Sequence, residues 1–245
     1  MTLPITIGIL AKNEQDDLPG CLAQCQFARE VIVLVDRSST DRTLEIAREA
    51  NAKIIIAELE SFADAHNQIQ EAATEEWVLS LDADERLTPE LLSSIKGFIG
   101  SSEKYAGAYV LRQDVFLGRR LRHGDASDWF LRLGKKAAGK WHRPVHEVWE
   151  TNEPVTKLAG ILEHYSHKNS ADYLQKMEFY TDLDASRSQE RAAWWQMIIY
   201  PIAKFIKVYF VQLGILDGWP GLVFACLNTR YSYTKRRKLY YRQHA

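Results

Sequence analysis

The sequence predicts an α/β fold built on a mostly parallel sheet, and three observations carry that expectation. Four short aliphatic runs occupy the first 84 residues, polar segments with helical patterning separate them, and hydrogen-bonding side chains gather directly after the runs. The runs are 5–11, 31–36, 53–59 and 77–82. Each is continuous rather than alternating, as in strands buried on both faces. Helices are expected over 16–27, 40–50 and 64–73, and this strand-helix alternation calls for parallel strands with right-handed crossovers.

Thr88 reads as an N-cap ahead of Pro89 and Glu90, opening a helix that ends near Gly97 to Gly100. A strand over 106–118 follows, then a basic stretch with Arg119, Arg120 and Arg122, then a second strand over 129–133. Ser170 opens an amphipathic helix in which Tyr173, Met177 and Tyr180 recur at helical spacing and are read as packing residues. Residues 194–216 are strongly apolar but interrupted by Gln196, Pro201, Lys204, Lys207 and Gln212. Two lysines and a central proline argue against a spanning helix. A helix lying in a membrane interface fits better, the alternative being a core helix. From Asn228 the tail carries six basic residues, no acid and four interleaved tyrosines, which suits an anionic lipid surface. No RNA-binding module accompanies it, so nucleic acid is not expected as a partner.

With 245 residues and 46% hydrophobic content the chain can bury a full core, which excludes a disordered protein. Residues 1–100 hold 18 acidic and 8 basic side chains, leaving 14 and 23 for the rest, so the two parts carry about −10 and +9. The basic part is suited to an anionic partner such as a diphosphate, a lipid headgroup or nucleic acid, and charge alone does not choose between them. Cys21, Cys25 and Cys226 lack metal or redox spacing and read as reduced thiols. The N-terminus has no basic region or cleavage site of a signal peptide, so a cytoplasmic location is expected.

In doubly wound sheets ligands gather at the carboxyl ends of strands. The first strand ends in Ala11, Asn13 and Glu14; the second ends in Asp36 and Ser38, with Asp36 the expected acceptor for a base N–H. Ser38, Ser39 and Thr40 are equally credible as helix caps, and capping is favoured for Thr40. Neither loop has the glycine-rich fingerprint of nicotinamide or P-loop folds. Asp82 and Asp84 lie two apart at the end of a buried strand, so both carboxylates point to one side while the backbone stays extended. That arrangement suits a divalent cation, Mg²⁺ or Mn²⁺, completed by waters and substrate phosphates; the alternative is an acidic loop capping the next helix.

At this point the sequence resembles the family-2 glycosyltransferases. The likeness rests on residues 9–14, 36–43, 62–67, 77–85 and 145–147 in that order, across about the first 150 residues. Residues 164–167 and 214–221 resemble the subgroup containing lipopolysaccharide core β-glucosyltransferases. The resemblance implies a GT-A fold over residues 1–165 followed by a helical, basic extension over 166–245. It also implies inversion at the anomeric carbon, a nucleoside diphosphate sugar donor, usually a UDP-sugar, and a glycan or lipid-linked acceptor. In that family the first two loops hold the nucleoside, His66, Asn67 and Asp82 lie along the donor, and Asp82 and Asp84 hold the cation. Arg37, where a small residue is frequent, and His66, where a basic residue often precedes Asn67, depart from the pattern.

His146 could complete a metal site begun by Asp84, and Glu147 could take the proton from an acceptor hydroxyl or be structural. Arg132 could stabilise the departing diphosphate or be a surface arginine. The expected protein is thus an inverting transferase acting on a cell-envelope glycan, peripheral on the cytoplasmic face of the inner membrane. The rivals are a sugar-phosphate nucleotidyltransferase and a non-catalytic sugar-nucleotide-binding or membrane scaffold protein.

Overall fold

The computed structural model describes residues 2–59, 61–101, 104–143, 147–165, 174, 177–178, 181–182, 190 and 192–243. It divides into two compact units, Met1–Arg112 with Trp129–His164, and Gln113–Asp128 with Tyr165–Ala245. A boundary at residue 165 does not anticipate that 113–128 group with the C-terminal unit.

The first unit begins with β1 (Leu3–Ala11), α1 (Leu18–Gln24), β2 (Ala28–Asp36), α2 (Thr43–Glu49), β3 (Lys53–Ala57), α3 (Phe62–Ala72) and β4 (Trp77–Asp82). These four strands are the four aliphatic runs. The chain continues through β5 (Glu85–Leu87), α4 (Pro89–Ser101), β6 (Gly107–Phe116), β7 (Arg119–Arg120), β8 (Ser127–Lys135), the antiparallel hairpin of β9 (Gly139–His142) and β10 (Val148–Thr151), and β11 (Val155–His164), of which β7 and the 113–128 ends of β6 and β8 fall in the second unit. The main sheet runs β3-β2-β1-β4-β8-β6-β11-β5, with β7 beside β6. Pairings among β3, β2, β1 and β4 are parallel, while β4 with β8 and β11 with β5 are antiparallel. The fold is therefore the mixed, mostly parallel α/β sheet expected.

Why the early strands read as unbroken apolar runs is visible in their packing. Ile7, Ile9, Val33 and Val35 enter one core, while Leu10, Ile32 and Leu34 enter a second with Ile69 of α3, so both faces are covered. Helix α3 comes so close to β1 that a Cβ on Gly8 would collide with Ile69. Thr88 caps α4 as expected, its Oγ1 accepting from Leu91 N–H at 3.3 Å. Thr40 does not cap α2. Its N–H donates to Asn13 Oδ1, and the helix opens at Thr43, whose N–H donates to Asp41 Oδ1 at 3.0 Å.

The sheet order places β1 between β2 and β4, so the chain leaves β1 on one side and returns on the other. That reversal is the switch point where a ligand crevice opens at the strand ends. Register brings those ends level, with Ala11 beside Val35 and Leu10 beside Asp82.

The second unit packs Phe116, Leu121, Ala126, Met177, Val208, Phe224, Ala225 and Leu227 into its own core. Met177 is helical, as expected; Ser170, Tyr173 and Tyr180 lie outside the described residues. Helix α5 (Gln196–Ile206) runs into a π-helical stretch, Lys207–Val211, and then a 3-10 turn, Gly214–Asp217, before α6 (Gly218–Arg242). Segments 196–211 and 214–242 are bent by 68°, and among the described residues no single helix is long and apolar enough to cross a membrane.

Candidate functional site

Four residues meet where β4 ends. Arg132, carried on β8 and 5% exposed, donates from Nη2 to Asp82 Oδ2 at 2.9 Å and lies 3.6 Å from Glu85 Oε1. Arg112 of β6 stands 3.9 Å from Asp82 and 3.6 Å from Glu85, its guanidinium 4.1 Å from the Phe130 ring centre. The sequence alternative of a surface arginine at 132 is thus overturned, because β8 pairs with β4 and turns this side chain inward. Arg132 Nε and Nη1 are buried with no hydrogen-bond partner. A buried guanidinium with donors to spare is suited to an anion.

The loop after β4 is held from several sides. Asp82 N–H donates to Glu85 Oε2 at 2.9 Å, and Arg86 donates to the carbonyls of Ala83, Glu85 and Asp17 at 2.7–2.8 Å. Gly20 makes room for that guanidinium, since a Cβ there would lie 2.5 Å from Arg86 Nη2. The antiparallel register of β5 with β11 sets His164 opposite Glu85, and His164 Nε2 lies 3.6 Å from Asp84 Oδ2.

Charge in this cluster is strongly coupled. Burial pushes the Asp82 carboxyl upward, but Arg132, then Arg112, hold it down at about 2. Asp82 is 32% exposed, so solvent screening weakens that attraction. Glu85 is fully buried; burial first, and the Asp82 charge second, push it up to about 7. Arg132 is held charged by Asp82 and Glu85 against the opposing effect of burial.

A stability consequence follows from Glu85. Its carboxyl keeps its proton to about pH 7 when folded but loses it near 4.5 in its ordinary state, so folding stability drains away as pH rises between those values. Glu85→Gln should gain on the wild type in thermal melts as pH goes from 5 to 8.5. Parallel stability profiles would rule out a buried, proton-retaining Glu85.

Near the β9–β10 hairpin, His66 of α3 is 1% exposed, stacks on Trp141 at 4.2 Å between ring centres, and points Nε2 toward Glu147 Oε1 at 3.9 Å. Burial, then the Arg132 charge, pull the imidazole down to about 3, so it is neutral at physiological pH. Both its ring nitrogens are buried without a hydrogen-bond partner. Asn67 uses its whole amide on the backbone of Trp141, donating to O and accepting from N–H, each at 3.0 Å. Gln70 does similar work one turn on, donating to Lys136 O and Gly139 O and accepting from Trp149 Nε1.

At the other strand ends, Asp36 is 4% exposed. Its Oδ1 accepts from Ser38 N–H and Oγ–H at 2.7 and 2.6 Å, and its Oδ2 accepts from Leu59 N–H and faces Lys12 at 3.4 Å. Burial pushes the carboxyl up, and these bonds outweigh it to hold the pKa below the usual range. Asn13 adopts φ 56°, takes Thr40 N–H on Oδ1, and donates from its own N–H to Ser39 Oγ. Glu14 N–H donates to Thr43 Oγ1 at 2.7 Å. Ala11 is buried at the end of β1.

Among the described residues no three His, Cys, Asp or Glu side chains gather as a metal cage, and His146 lies outside them. Asp84 offers a carboxylate of the kind taken by Mg²⁺ or Mn²⁺, cations that take few protein ligands and complete their shell with water and phosphate, and His164 Nε2, a nitrogen that suits Mn²⁺ better than Mg²⁺, lies 3.6 Å from it. Glu85, Arg112 and His164 had no assigned role in the sequence reading. The signal for Glu85 was its place one residue after Asp84; those for Arg112 and His164 needed the strand pairing.

Residues 6–153, more than half of the chain, match the family Glycosyl transferase family 2. The chain belongs to that family. Among its relatives, the lipopolysaccharide core biosynthesis glycosyltransferase LpsC of Rhizobium meliloti is 24% identical over 98% of this chain and 93% of its own length. An uncharacterized glycosyltransferase of Rickettsia conorii is 29% identical over 91% and 85%. In solved structures, this family 2 chain shares its fold with the mannosyltransferase PcManGT from Pyrobaculum calidifontis, solved with GDP-Man and Mn²⁺. The TM-score is 0.54 at 13% identity, covering 97% of this chain and 87% of that one. The GT-A fold is thereby established.

Proposed function

We propose that this family 2 glycosyltransferase is a metal-assisted, inverting enzyme. It moves a sugar from a nucleoside diphosphate donor, a UDP-sugar, to a hydroxyl of a lipopolysaccharide core or other cell-envelope glycan at the cytoplasmic face of the inner membrane. The observation that carries the reading is Arg132, buried at the β4 strand end with two unpartnered donor nitrogens, beside the Asp84 and His164 pair.

The nucleoside lies along Ala11, Asn13, Glu14, Asp36 and Ser38, whose strand ends the sheet brings level. Asp84, with His164 beside it, would hold the cation, which when bound would neutralise charge on the diphosphate. Arg132 donates to the leaving diphosphate as negative charge develops on it. Asp82 keeps Arg132 in place. Glu147 accepts the acceptor hydroxyl's proton as that oxygen forms its bond to the anomeric carbon and the diphosphate departs with the bonding electrons. His66, neutral at physiological pH, lies 3.9 Å from Glu147 Oε1 and does not compete for its charge.

The deciding experiment is transfer by Asp84→Ala, with calorimetric titration of UDP with and without Mn²⁺. Turnover should fall by about 10²-fold or more with the melting temperature near that of the wild type. UDP affinity should lose its Mn²⁺ dependence. Undiminished turnover would remove Asp84 from the site.

A further inference from the structure

The C-terminal unit contains a helix turned inside out. In a water-facing amphipathic helix the apolar stripe packs inward and the polar stripe meets solvent. In α5 and the π-helical stretch after it, Ile198, Ile199, Ile202, Ile206 and Phe210 recur at spacings of one, three and four and all face outward. Three of the polar residues turn the other way. Lys204 is ion-paired with Asp125, Gln212 donates to the same carboxylate, and Gln196 Oε1 is buried.

The bend continues the pattern. Val211 is 71% exposed, Leu216 65% and Trp219 69%, with Leu213 and Ile215 about half exposed between them. From Val208 to Leu216 there is no charged residue. The next one, Asp217, points inward, accepting from the N–H groups of Arg122 and His123 and meeting the His123 ring at 3.1 Å. The turn is built to be tight: Leu213 adopts φ 61°, a Cβ on Gly214 would lie 2.7 Å from Val208 O, and a Cβ on Gly221 would strike Gly214 O.

Leaving this many large apolar side chains in water is costly. Contiguous exposed patches of this kind mark interaction sites. The composition around the patch selects the partner. Trp194 and Trp195 at one end and Trp219 at the other are amphipathic rings of the sort that sit at headgroup depth. Lys207 on one arm, and Arg230 and Arg237 on the other, are exposed cations, and residues 218–243 contain no acid. A protein partner would need acids set against these cations around an apolar centre, whereas an anionic bilayer supplies both at once.

We infer that the α5–α6 elbow is a membrane anchor whose apolar tip enters one leaflet of an anionic bilayer without crossing it. The inward-turned Lys204, Gln212 and Asp217 are what allow the tip to shed every charge toward lipid. The inference goes beyond the transfer chemistry and does not require it.

The test is co-sedimentation of the full chain with vesicles of phosphatidylglycerol and phosphatidylethanolamine, and with phosphatidylcholine alone. The wild type should bind the anionic vesicles at least about tenfold more tightly than the neutral ones. Val211→Ser/Leu216→Ser/Trp219→Ser changes only outward-facing side chains and should weaken binding by about tenfold or more. Arg230→Glu/Arg237→Glu should erase the preference for anionic lipid while keeping the apolar tip. Quenching of tryptophan fluorescence by lipids brominated on the acyl chain should occur in the wild type. The inference is overturned if the wild type ignores both vesicles, if the triple variant binds as the wild type does, or if a lipid-free dimer shields the tryptophans instead.

Discussion

Arg132→Ala should cost the fold about 3–5 kcal/mol and abolish transfer, the largest combined effect of any single change in this protein. The side chain is buried between Asp82 and Glu85, so its removal leaves two acids facing each other across a space with no cation of its own. Arg112 remains, but at 3.6–3.9 Å and partly exposed it is a weaker counter-charge. Glu85 already holds its proton to about pH 7, so part of the loss is absorbed by its protonation, and the variant should recover stability as pH falls toward 5. Chemical denaturation at pH 5 and pH 8 measures this directly. Arg132→Lys separates the two roles, because an ammonium keeps the charge but loses the planar fork. It should restore most of the stability and little of the turnover. If Arg132→Ala melts within about 0.5 kcal/mol of the wild type, the cluster is not the structural keystone its geometry indicates.

Glu147→Gln should lower turnover by about 10²–10⁴-fold while leaving donor affinity unchanged. The substitution keeps the shape beside His66 and Trp141 and removes only the capacity to accept a proton. Turnover and UDP affinity measured on the same preparation separate a proton acceptor from a residue that merely supports the hairpin. A structural Glu147 would shift both together, and turnover within about threefold of the wild type would end its assignment as base. His66 provides a control in reserve, since it touches Glu147 but is too buried to meet an acceptor.

The parallel half of the sheet was legible because its signal is local. Residues 5–11 and 77–82 are apolar at nearly every position, and a strand covered on both faces needs nothing else to announce itself. β5 has only three residues, and β11 has buried, half-buried and exposed positions in irregular order with Gly160 at φ 94° pressed against Leu91, so neither leaves a periodic trace. The site divides in the same way. Asp82 and Asp84 stand out because they interrupt an aliphatic run. His164 joins Asp84 only through the β5–β11 register, 80 residues later, and Arg132 reaches Asp82 only because β8 pairs with β4. Asn67, singled out beside a donor, also spends its amide on the backbone of Trp141, a pairing 74 residues away that no local pattern reveals. Lys204 is legible as an interruption of the apolar run, but its inward turn is not, because it depends on Asp125, 79 residues earlier.

The fastening between the first two strand-end loops has a thermodynamic corollary. Asn13 Oδ1 takes Thr40 N–H, Ser39 Oγ takes Asn13 N–H, Thr43 Oγ1 takes Glu14 N–H, and Asp41 Oδ2 takes Gln15 N–H, all across 26–29 residues of chain. Ordering a backbone residue costs roughly 1–2 kcal/mol in lost freedom, and here that cost belongs to folding rather than to ligand capture. On the proposed reading, a nucleoside arriving at this edge meets loops already ordered, so its association should be driven by enthalpy with little entropic penalty from the chain.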